Sequence, residues 1–130
     1  MKGKEIRQNE KMGLEMNLLH ADEVESAVLG AVMLEPVSLR EVEGFVRAEM
    51  FYQQKHRYMW MAIESLVAKG LEPDIIMVTQ ELAMMGKLEE AGGAYEVTLK
   101  TANLASSAHL WEHVRVLYML PFLKDTLLYR

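Results

Sequence analysis

The sequence predicts an all-α fold, and three features of the chain lead to this expectation. Apolar residues recur at the helical spacing i, i+3, i+4 in several separate segments, so that each segment can bury one face. Gly70 and Gly86 follow such segments directly, where a helix commonly ends in the left-handed conformation. The alternation of apolar and polar residues that marks a half-buried β-strand is nearly absent.

Length and composition favour one domain built around one core. The chain has 130 residues, of which 51% are hydrophobic and 25% are charged, as in an ordinary soluble domain. It contains no cysteine, which excludes thiolate catalysis and Cys-based zinc sites and fits a reducing compartment such as the cytoplasm. The net charge of −5 argues against a phosphate-collecting surface, and the longest apolar run is too short to span a membrane. We therefore expect a cytoplasmic domain that does not bind DNA directly.

The helical pattern begins after residue 20, and we expect residues 1–20 to form a mobile tail. Asp22 and Glu25 stand three residues apart, as in a variant of the capping box, and Pro36 ends the first helix. Its apolar stripe comprises Val24, Ala27, Val28, Ala31 and Val32. Ser38 and Glu41 repeat the capping box in its standard form and open a second, short helix. The buried face of that helix is predicted to comprise Leu39, Val42, Phe45 and Val46.

Two longer helices and several shorter elements follow. The third helix is expected from about Gln53 to the Gly70 stop, with Met59, Ile63 and Leu66 on its buried stripe. A fourth helix is expected over residues 76 to 85, followed by a single turn that ends at the paired glycines 92 and 93 and by a short helix. Ser106 or Ser107 should cap a further helix to about Met119, where Pro121 interrupts it. The predicted globular head therefore covers residues 21–119, and residues 120–130 begin a new or kinked helix.

Two short motifs imitate catalytic sites. Gly86-Lys87 resembles part of a phosphate-binding loop, but that loop requires Gly at position 81 and Ser or Thr at position 88, where this chain has Glu81 and Leu88. The stretch "HLWEH", residues 109 to 113, matches the H-x-x-E-H pattern of inverted zinc peptidases. A catalytic zinc needs a third protein ligand, and no second ligand pair is recognisable. We therefore expect no catalytic, cofactor-binding or metal-binding residue in this chain.

Five phrases occur in the order and spacing of the N-terminal domain of DnaB-type replicative DNA helicases, which the chain resembles from about residue 20 to residue 128. They are "EVESAVLGAVMLEP", "EMFYQQKHRYMWMAI", "GLEPDIIMVTQEL", "GKLEEAGG" and "ASSAHLWEHVRVL". The first-helix signature is matched by Glu25, Leu29, Gly30 and Pro36. The aromatic entry to the third helix is matched by Phe51, Tyr52 and His56. Asp74, Leu82, Leu88, Gly92 and Gly93 match the stretch that contains Gly86-Lys87.

The resemblance implies a compact orthogonal helical bundle followed by the start of a helical hairpin. In this family copies of the domain pair through the hairpins into a collar, a trimer of dimers within a hexamer, which docks the C-terminal domain of primase and can contact a helicase loader. In the family, ATP and Mg act in a separate RecA-like motor domain that follows a linker. These 130 residues match neither the linker nor the motor domain. The resemblance thus implies a scaffold domain whose parent protein is an ATP-dependent DNA helicase.

The resemblance also implies where partners bind. Family contacts carried over to this chain fall on the helices after Gly93 and on the hairpin start, at Tyr95, Glu96, Phe122 and Leu127. A charged stretch of the family is replaced here by Tyr118, Met119 and Leu120, so residues 116–123 are almost all apolar. Such a stretch either folds back onto the head or seeks a partner.

Two alternatives to the collar stay open at this point. A stand-alone adaptor or a helicase- or primase-binding module could use the same bundle, and a Walker motif encoded after residue 130 would distinguish the collar from it. A helix-turn-helix DNA binder is disfavoured by the acidic charge and the missing basic helix face.

Overall fold

A computed structural model describes residues 21–102, 104 and 106–127, with side chains for all of these except residues 21 and 120–127. The described residues form six α-helices and no β-strand, which confirms the all-α prediction. The helices are α1 (Ala21–Leu34), α2 (Leu39–Val42), α3 (Gln54–Ala68), α4 (Ile75–Met84), α5 (Gly93–Leu99) and α6 (Leu110–Leu127). Two 3-10 turns, Pro36–Ser38 and Ala48–Met50, flank the segment that contains α2. The predicted tail, residues 1–20, lies outside the described residues.

The predicted glycine stops are confirmed. Gly70 and Gly86 adopt φ angles of 75° and 71°, the left-handed region in which glycine has no steric penalty. Beyond each glycine the chain closes the helix end, since Leu71 N donates to Leu66 O and Lys87 N donates to Leu82 O, both at 2.9 Å. This is the six-to-one hydrogen bond of the Schellman motif. Gly86-Lys87 is therefore a helix terminus and does not form a phosphate loop.

The predicted capping boxes do not form. Ser38 makes no side-chain cap; its hydroxyl donates to Ala31 O at 3.4 Å, and the carbonyls of the Pro36–Ser38 turn accept the Leu39 N–H instead. Glu25 uses its carboxylate on the beginning of α3, far along the chain, rather than on its own helix. The cap that does form at α4 uses Asp74, whose Oδ1 accepts from Met77 N at 2.9 Å. A capping pattern in the sequence therefore did not identify which backbone N–H groups its polar side chains would satisfy.

The last helix differs from the prediction at both ends. It begins at Leu110 rather than directly after Ser106 or Ser107, and it continues through Pro121 to Leu127 as one helix. Of the two outcomes predicted at Pro121, no new helix starts there; a kink stays a prediction, because proline removes one backbone hydrogen bond and can bend a helix without obliging it to end. Residues 128–130, the end of the predicted hairpin start, lie outside the described residues.

The core lies between α1 and α6 on one side and α3 and α4 on the other. Glu35 Oε1 accepts from Ser107 N at 2.8 Å, which holds the end of α1 beside the beginning of α6. Gly30 on α1 lies directly against the backbone of Lys100, at the end of α5. The largest fully buried side chains include Phe51, Leu29, Met59, Ile63, Leu66, Leu82, Leu110 and Leu117.

Candidate protein-docking surfaces

Tyr95 and Glu96 lie side by side on α5, but their surroundings differ. Tyr95 is 75% exposed, so its ring is available to a partner. The Glu96 carboxylate is held within the chain: Oε1 accepts from Lys55 Nζ at 2.7 Å and from Lys100 Nζ at 2.9 Å. These hydrogen bonds, first that from Lys55 and then that from Lys100, lower the pKa of Glu96 to about 2. Glu96 is thus part of an internal network, and Tyr95 is the accessible member of the pair.

The network around Glu96 joins three helices. Lys100 is nearly fully buried, and its Nζ also donates to Ser26 Oγ on α1 at 3.0 Å. Lys55 belongs to α3, so the single Glu96 carboxylate connects α5 to the two central helices. Because α5 has only seven residues and little helical stability of its own, these contacts hold the helix that presents Tyr95.

Phe122 and Leu127 both lie within α6. The structure therefore carries the two pairs of predicted docking residues on different helices, α5 and α6. Just before this segment, Leu117 is buried, whereas Val116, Tyr118 and Met119 are exposed. Within this apolar stretch, Leu117 therefore packs against the head, whereas its three neighbours remain open to solvent.

A second apolar surface was missed by the sequence analysis. Phe45 was expected in the core, but α2 ends at Val42, and Phe45 is 53% exposed on a turn. Its ring packs edge-on against Trp111 of α6, with the ring centroids 5.3 Å apart. Around this pair lies a shallow depression of about 390 Å³, lined by Phe45, Trp111, Val114, Arg115, Tyr118 and Met119. The spacing of Trp111, Arg115 and Tyr118, opposite the buried Leu110 and Leu117, was the available signal.

Glu25 and His56 form a buried polar cluster where α1 meets the beginning of α3. Glu25 is 1% exposed; its carboxylate accepts from Tyr52 N at 2.6 Å and from Gln53 N at 3.3 Å, and its Oε1 lies 2.7 Å from His56 Nδ1. Asp22 Oδ1 accepts from the Gln53 side chain at 2.5 Å. The carboxylate thus satisfies the N–H groups of the two residues that directly precede α3. The cluster joins α1 to the beginning of α3.

The stretch "HLWEH" lies at the beginning of α6, with the side chains of His109 and Glu112 open to solvent. His109 Nδ1 lies 2.6 Å from Glu112 Oε2, and the rings of His109 and His113 are 6.4 Å apart. Among the described residues, no group of three or more His, Cys, Asp or Glu side chains is placed to hold a metal ion. Nor does any helix in the described part of the chain have the length and hydropathy to cross a membrane.

Comparison with known proteins gives one consistent result. The family model described as "DnaB-like helicase N terminal domain" matches residues 17–119. Among curated proteins, the chain is 34% identical over 97 residues to the replicative DNA helicase DnaB of Rhodothermus marinus, covering 75% of this chain and 10% of that protein. It is 32% identical over 94 residues to the replicative DNA helicase DnaB of Geobacillus stearothermophilus, covering 72% of this chain and 21% of that protein.

A solved structure agrees with the sequence comparisons. The crystal structure of the N-terminal domain of DnaB helicase from Mycobacterium tuberculosis superposes with a TM-score of 0.73 at 25% sequence identity, covering 77% of this chain and 69% of that one. The chain spans about a fifth or less of the length of the two helicases above, so the comparison concerns one domain of such proteins. Since the family model covers most of the chain, the protein belongs to the family of DnaB-like helicase N-terminal domains.

Proposed function

We propose that this chain is the collar domain of a replicative DNA helicase, which assembles copies of the protein into dimers and a hexamer and docks primase. Family membership over residues 17–119 carries this proposal. The exposed apolar residues near the end of the head support it, because Val116, Tyr118 and Met119 are open to solvent on α6. Apolar groups left exposed in a contiguous group mark interaction surfaces.

The parent protein, in this proposal, also carries a RecA-like motor domain that binds ATP and Mg and unwinds duplex DNA in the cytoplasm. The share of the relatives that the chain covers, 10% and 21%, leaves room for such a domain. Hydrolysis is then assigned to that domain and not to these residues. The Gly86-Lys87 stretch ends a helix, and Lys87 Nζ pairs with Glu90 at 3.1 Å, which is consistent with this division.

Two surfaces divide the docking roles. Phe122 and Leu127 on α6 are assigned to pairing with a second copy, and Tyr95 on α5 is assigned to the primase C-terminal domain, with a helicase loader as a further partner of the collar. Glu96 holds α5 in place through Lys55 and Lys100, and its contribution to docking is to orient Tyr95. Large apolar side chains supply most of the energy in contacts of this kind, so few residues should dominate each surface.

The pairing role is tested by truncating the two large side chains on α6. Phe122→Ala or Leu127→Ala should weaken self-association by roughly 1 to 3 kcal/mol, because helix contacts concentrate their energy in a few apolar anchors. Sedimentation velocity across a concentration series would show a shift towards monomer, while the melting temperature of the head stays nearly unchanged. Ile76→Ala is the matched control, since Ile76 is an exposed apolar residue on α4, away from α6.

Unfolding of the domain in both α6 variants, with unaltered association of the folded fraction, would instead make Phe122 and Leu127 core residues. Primase docking is tested separately with Tyr95→Ala, measured by titration against the isolated primase C-terminal domain. Binding as tight as that of the unmodified chain would remove Tyr95 from the docking surface.

A further inference from the structure

A groove lies between the segment that contains α2 and the second half of α3. It consists of two shallow depressions, of about 270 and 240 Å³. Leu39, Glu43 and Val67 line both of them, so the two depressions are continuous, and we call the whole the α2–α3 groove. Its lining follows the chain from Trp60 to Gly70, which at 1.5 Å per residue is about 15 Å, the length of a helix of about ten residues.

Apolar side chains of the α2–α3 groove are partly open to solvent. Val37 from one side and Leu71 from the other are 66% and 44% exposed. Gly44 and Gly70 also line the groove, and a Cβ added at either glycine would meet no atom within 4 Å. The groove therefore has apolar walls and open space between them, which is the form of a docking site for a partner segment.

The charged side chains of the groove are mostly acidic and unpaired. Glu43, Glu64 and Glu72 belong to its lining, and none of the three makes an ion pair or hydrogen bond within the described part of the chain. Burial and the nearby charge of Glu49 raise the pKa of Glu64. Arg40 is the one basic residue of the described lining, and it pairs with none of these carboxylates. The groove thus carries an excess of negative charge that its own residues do not balance.

Trp60 is a further group in the groove without a partner. Its side chain lines the second depression and is 2% exposed, and its Nε1–H has no acceptor among the described residues. A buried donor without an acceptor is costly, so such groups are rare in folded proteins. The groove lacks cations and an acceptor, and a polypeptide can supply both, through Lys or Arg side chains and through carbonyl groups.

We propose that the α2–α3 groove binds a basic amphipathic helix of a partner protein. Charge complementarity selects this occupant: its Lys or Arg side chains face Glu43 on one side of the groove and Glu64 on the other. Its apolar stripe covers Val37 and Leu71, as in other contacts of a helix in a groove. The inference goes beyond the pairing and primase contacts proposed above, because no residue of α5 or α6 lines this groove.

A second copy of the chain does not supply such a helix within its described residues. Three of the lysines there are already held by carboxylates of the same fold: Lys55, Lys69 and Lys100. Residues 1–20 do contain a set of basic residues, namely Lys2, Lys4, Arg7 and Lys11. This segment of the same chain is the competing occupant, and the test must separate it from a partner.

Binding is measured with a synthetic helix of leucine, alanine and lysine, in which leucine recurs at i, i+4 and i+7 and lysine occupies the flanks. The chain has two tryptophans, so Trp111→Phe leaves Trp60 as the one indole, and its emission should shift as the groove fills. The same peptide with glutamate in place of every lysine should bind at least about tenfold more weakly. Added salt should weaken binding of the lysine peptide, because ion pairs at a surface are screened.

Variants of the full chain test the groove itself. Glu43→Lys combined with Glu64→Lys should weaken binding of the lysine peptide by at least about tenfold, since like charges then meet. Val37→Ser should also weaken it, and the fold should tolerate this change because Val37 is exposed. Glu89→Lys combined with Glu112→Lys makes the same change of net charge at exposed positions outside the groove, and this control should bind nearly as the unmodified chain does. Circular dichroism checks that every variant keeps its helix content.

The contact is located by amide chemical shifts in NMR spectra, which should change most at Gly44 and Gly70. Changes centred elsewhere, equal binding of the two peptides, or equal weakening by the control pair overturn the inference. Changing the four basic residues of residues 1–20 to glutamine should leave the affinity for the lysine peptide unaltered. A rise of tenfold or more would make that segment the occupant and overturn the inference. None of these outcomes depends on self-association through Phe122 or on docking at Tyr95.

Discussion

Glu25 is the clearest example of a residue whose role depends on a distant segment. Its spacing from Asp22 suggested a local cap, but its carboxylate lies at the beginning of α3, where it accepts two backbone N–H groups and contacts His56. Hydrogen bonds to a buried charge contribute more than neutral ones, and removing the charge leaves buried donors unsatisfied. Glu25 therefore connects α1 to His56 of α3 and to the two residues that precede that helix.

Glu25→Gln should lower the free energy of unfolding by roughly 2 to 4 kcal/mol, because the amide can accept fewer of these donors and places an N–H group against one of them. Urea denaturation followed by circular dichroism measures the change. Glu41→Gln is the control, since Glu41 is exposed on α2, and it should change stability by less than about 0.5 kcal/mol. Equal midpoints for the two variants would show that the buried carboxylate is not needed for stability.

Gly30 is a second single residue on which the packing of the helices depends. An ordinary exposed glycine inside a helix is destabilising, so replacing it with alanine usually helps. At Gly30 an added Cβ would overlap the Lys100 carbonyl oxygen and approach Leu104 Cδ1 at 2.6 Å. The glycine is thus required by the close approach of α1 to the end of α5.

Gly30→Ala should destabilise the chain by roughly 1 to 3 kcal/mol, since overpacking forces the two backbones apart. Gly70→Ala is a matched comparison: Gly70 has a φ of 75° but nothing within 4 Å of an added Cβ, so its cost comes from backbone conformation alone. Thermal unfolding of both variants separates the steric effect from the conformational one. A Gly30→Ala chain more stable than the unmodified chain would contradict the packing argument.

At the scale of elements, α5 depends on charges supplied by its neighbours. Lys55 and Lys100 hold the ionised Glu96 and lower its pKa to about 2. A carboxyl group whose pKa is lower in the folded state stabilises the fold above its unfolded pKa of about 4.5, and this stabilisation is lost as the pH falls towards 2. The seven residues of α5 are too few to stay helical unaided.

Glu96→Gln should therefore lower the free energy of unfolding by about 2 kcal/mol at neutral pH and by much less near pH 2. The difference in unfolding free energy between the variant and the unmodified chain, measured by urea titration at several pH values, should shrink between pH 4.5 and 2. Glu72→Gln, at an exposed position before α4, should show no such convergence. A constant difference across this range would mean that the two lysines do not stabilise the ionised form of Glu96.

At the scale of the whole molecule, the net charge bears directly on whether the chain binds duplex DNA. The chain carries a net charge of −5, whereas proteins that bind duplex DNA through phosphates present clustered basic residues. Three of its lysines are paired with carboxylates of the same chain: Lys55 and Lys100 with Glu96, and Lys69 with Glu81. A role as a scaffold is consistent with this distribution.

The isolated chain should show no measurable binding to duplex DNA at physiological salt. Fluorescence anisotropy with a labelled duplex measures this, and a salt titration provides the diagnostic, because phosphate contacts give affinity that falls steeply as salt rises. Binding with a steep salt dependence would contradict the charge argument and favour a nucleic-acid-binding role for this domain.

The fold class, the order of the helices and the glycine stops could be predicted from local sequence patterns. These follow from local rules: apolar periodicity marks the buried face of a helix, and only glycine adopts the left-handed conformation of Gly70 and Gly86 without strain. The family could also be recognised, because several short phrases occur in register, and the family model confirms it over residues 17–119. Local rules were sufficient wherever the deciding interaction lay within a few residues.

Tertiary structure decided what the polar side chains bind and which apolar residues stay exposed. Glu25 accepts from the residues before α3, Glu96 accepts from Lys55 of α3, and Phe45 packs on Trp111 of α6. Each of these contacts joins residues far apart in the chain, and their pairing depends on how α1, α3, α5 and α6 are positioned around the core. A carboxylate or an aromatic ring can serve several partners, and only the folded chain places one of them within reach.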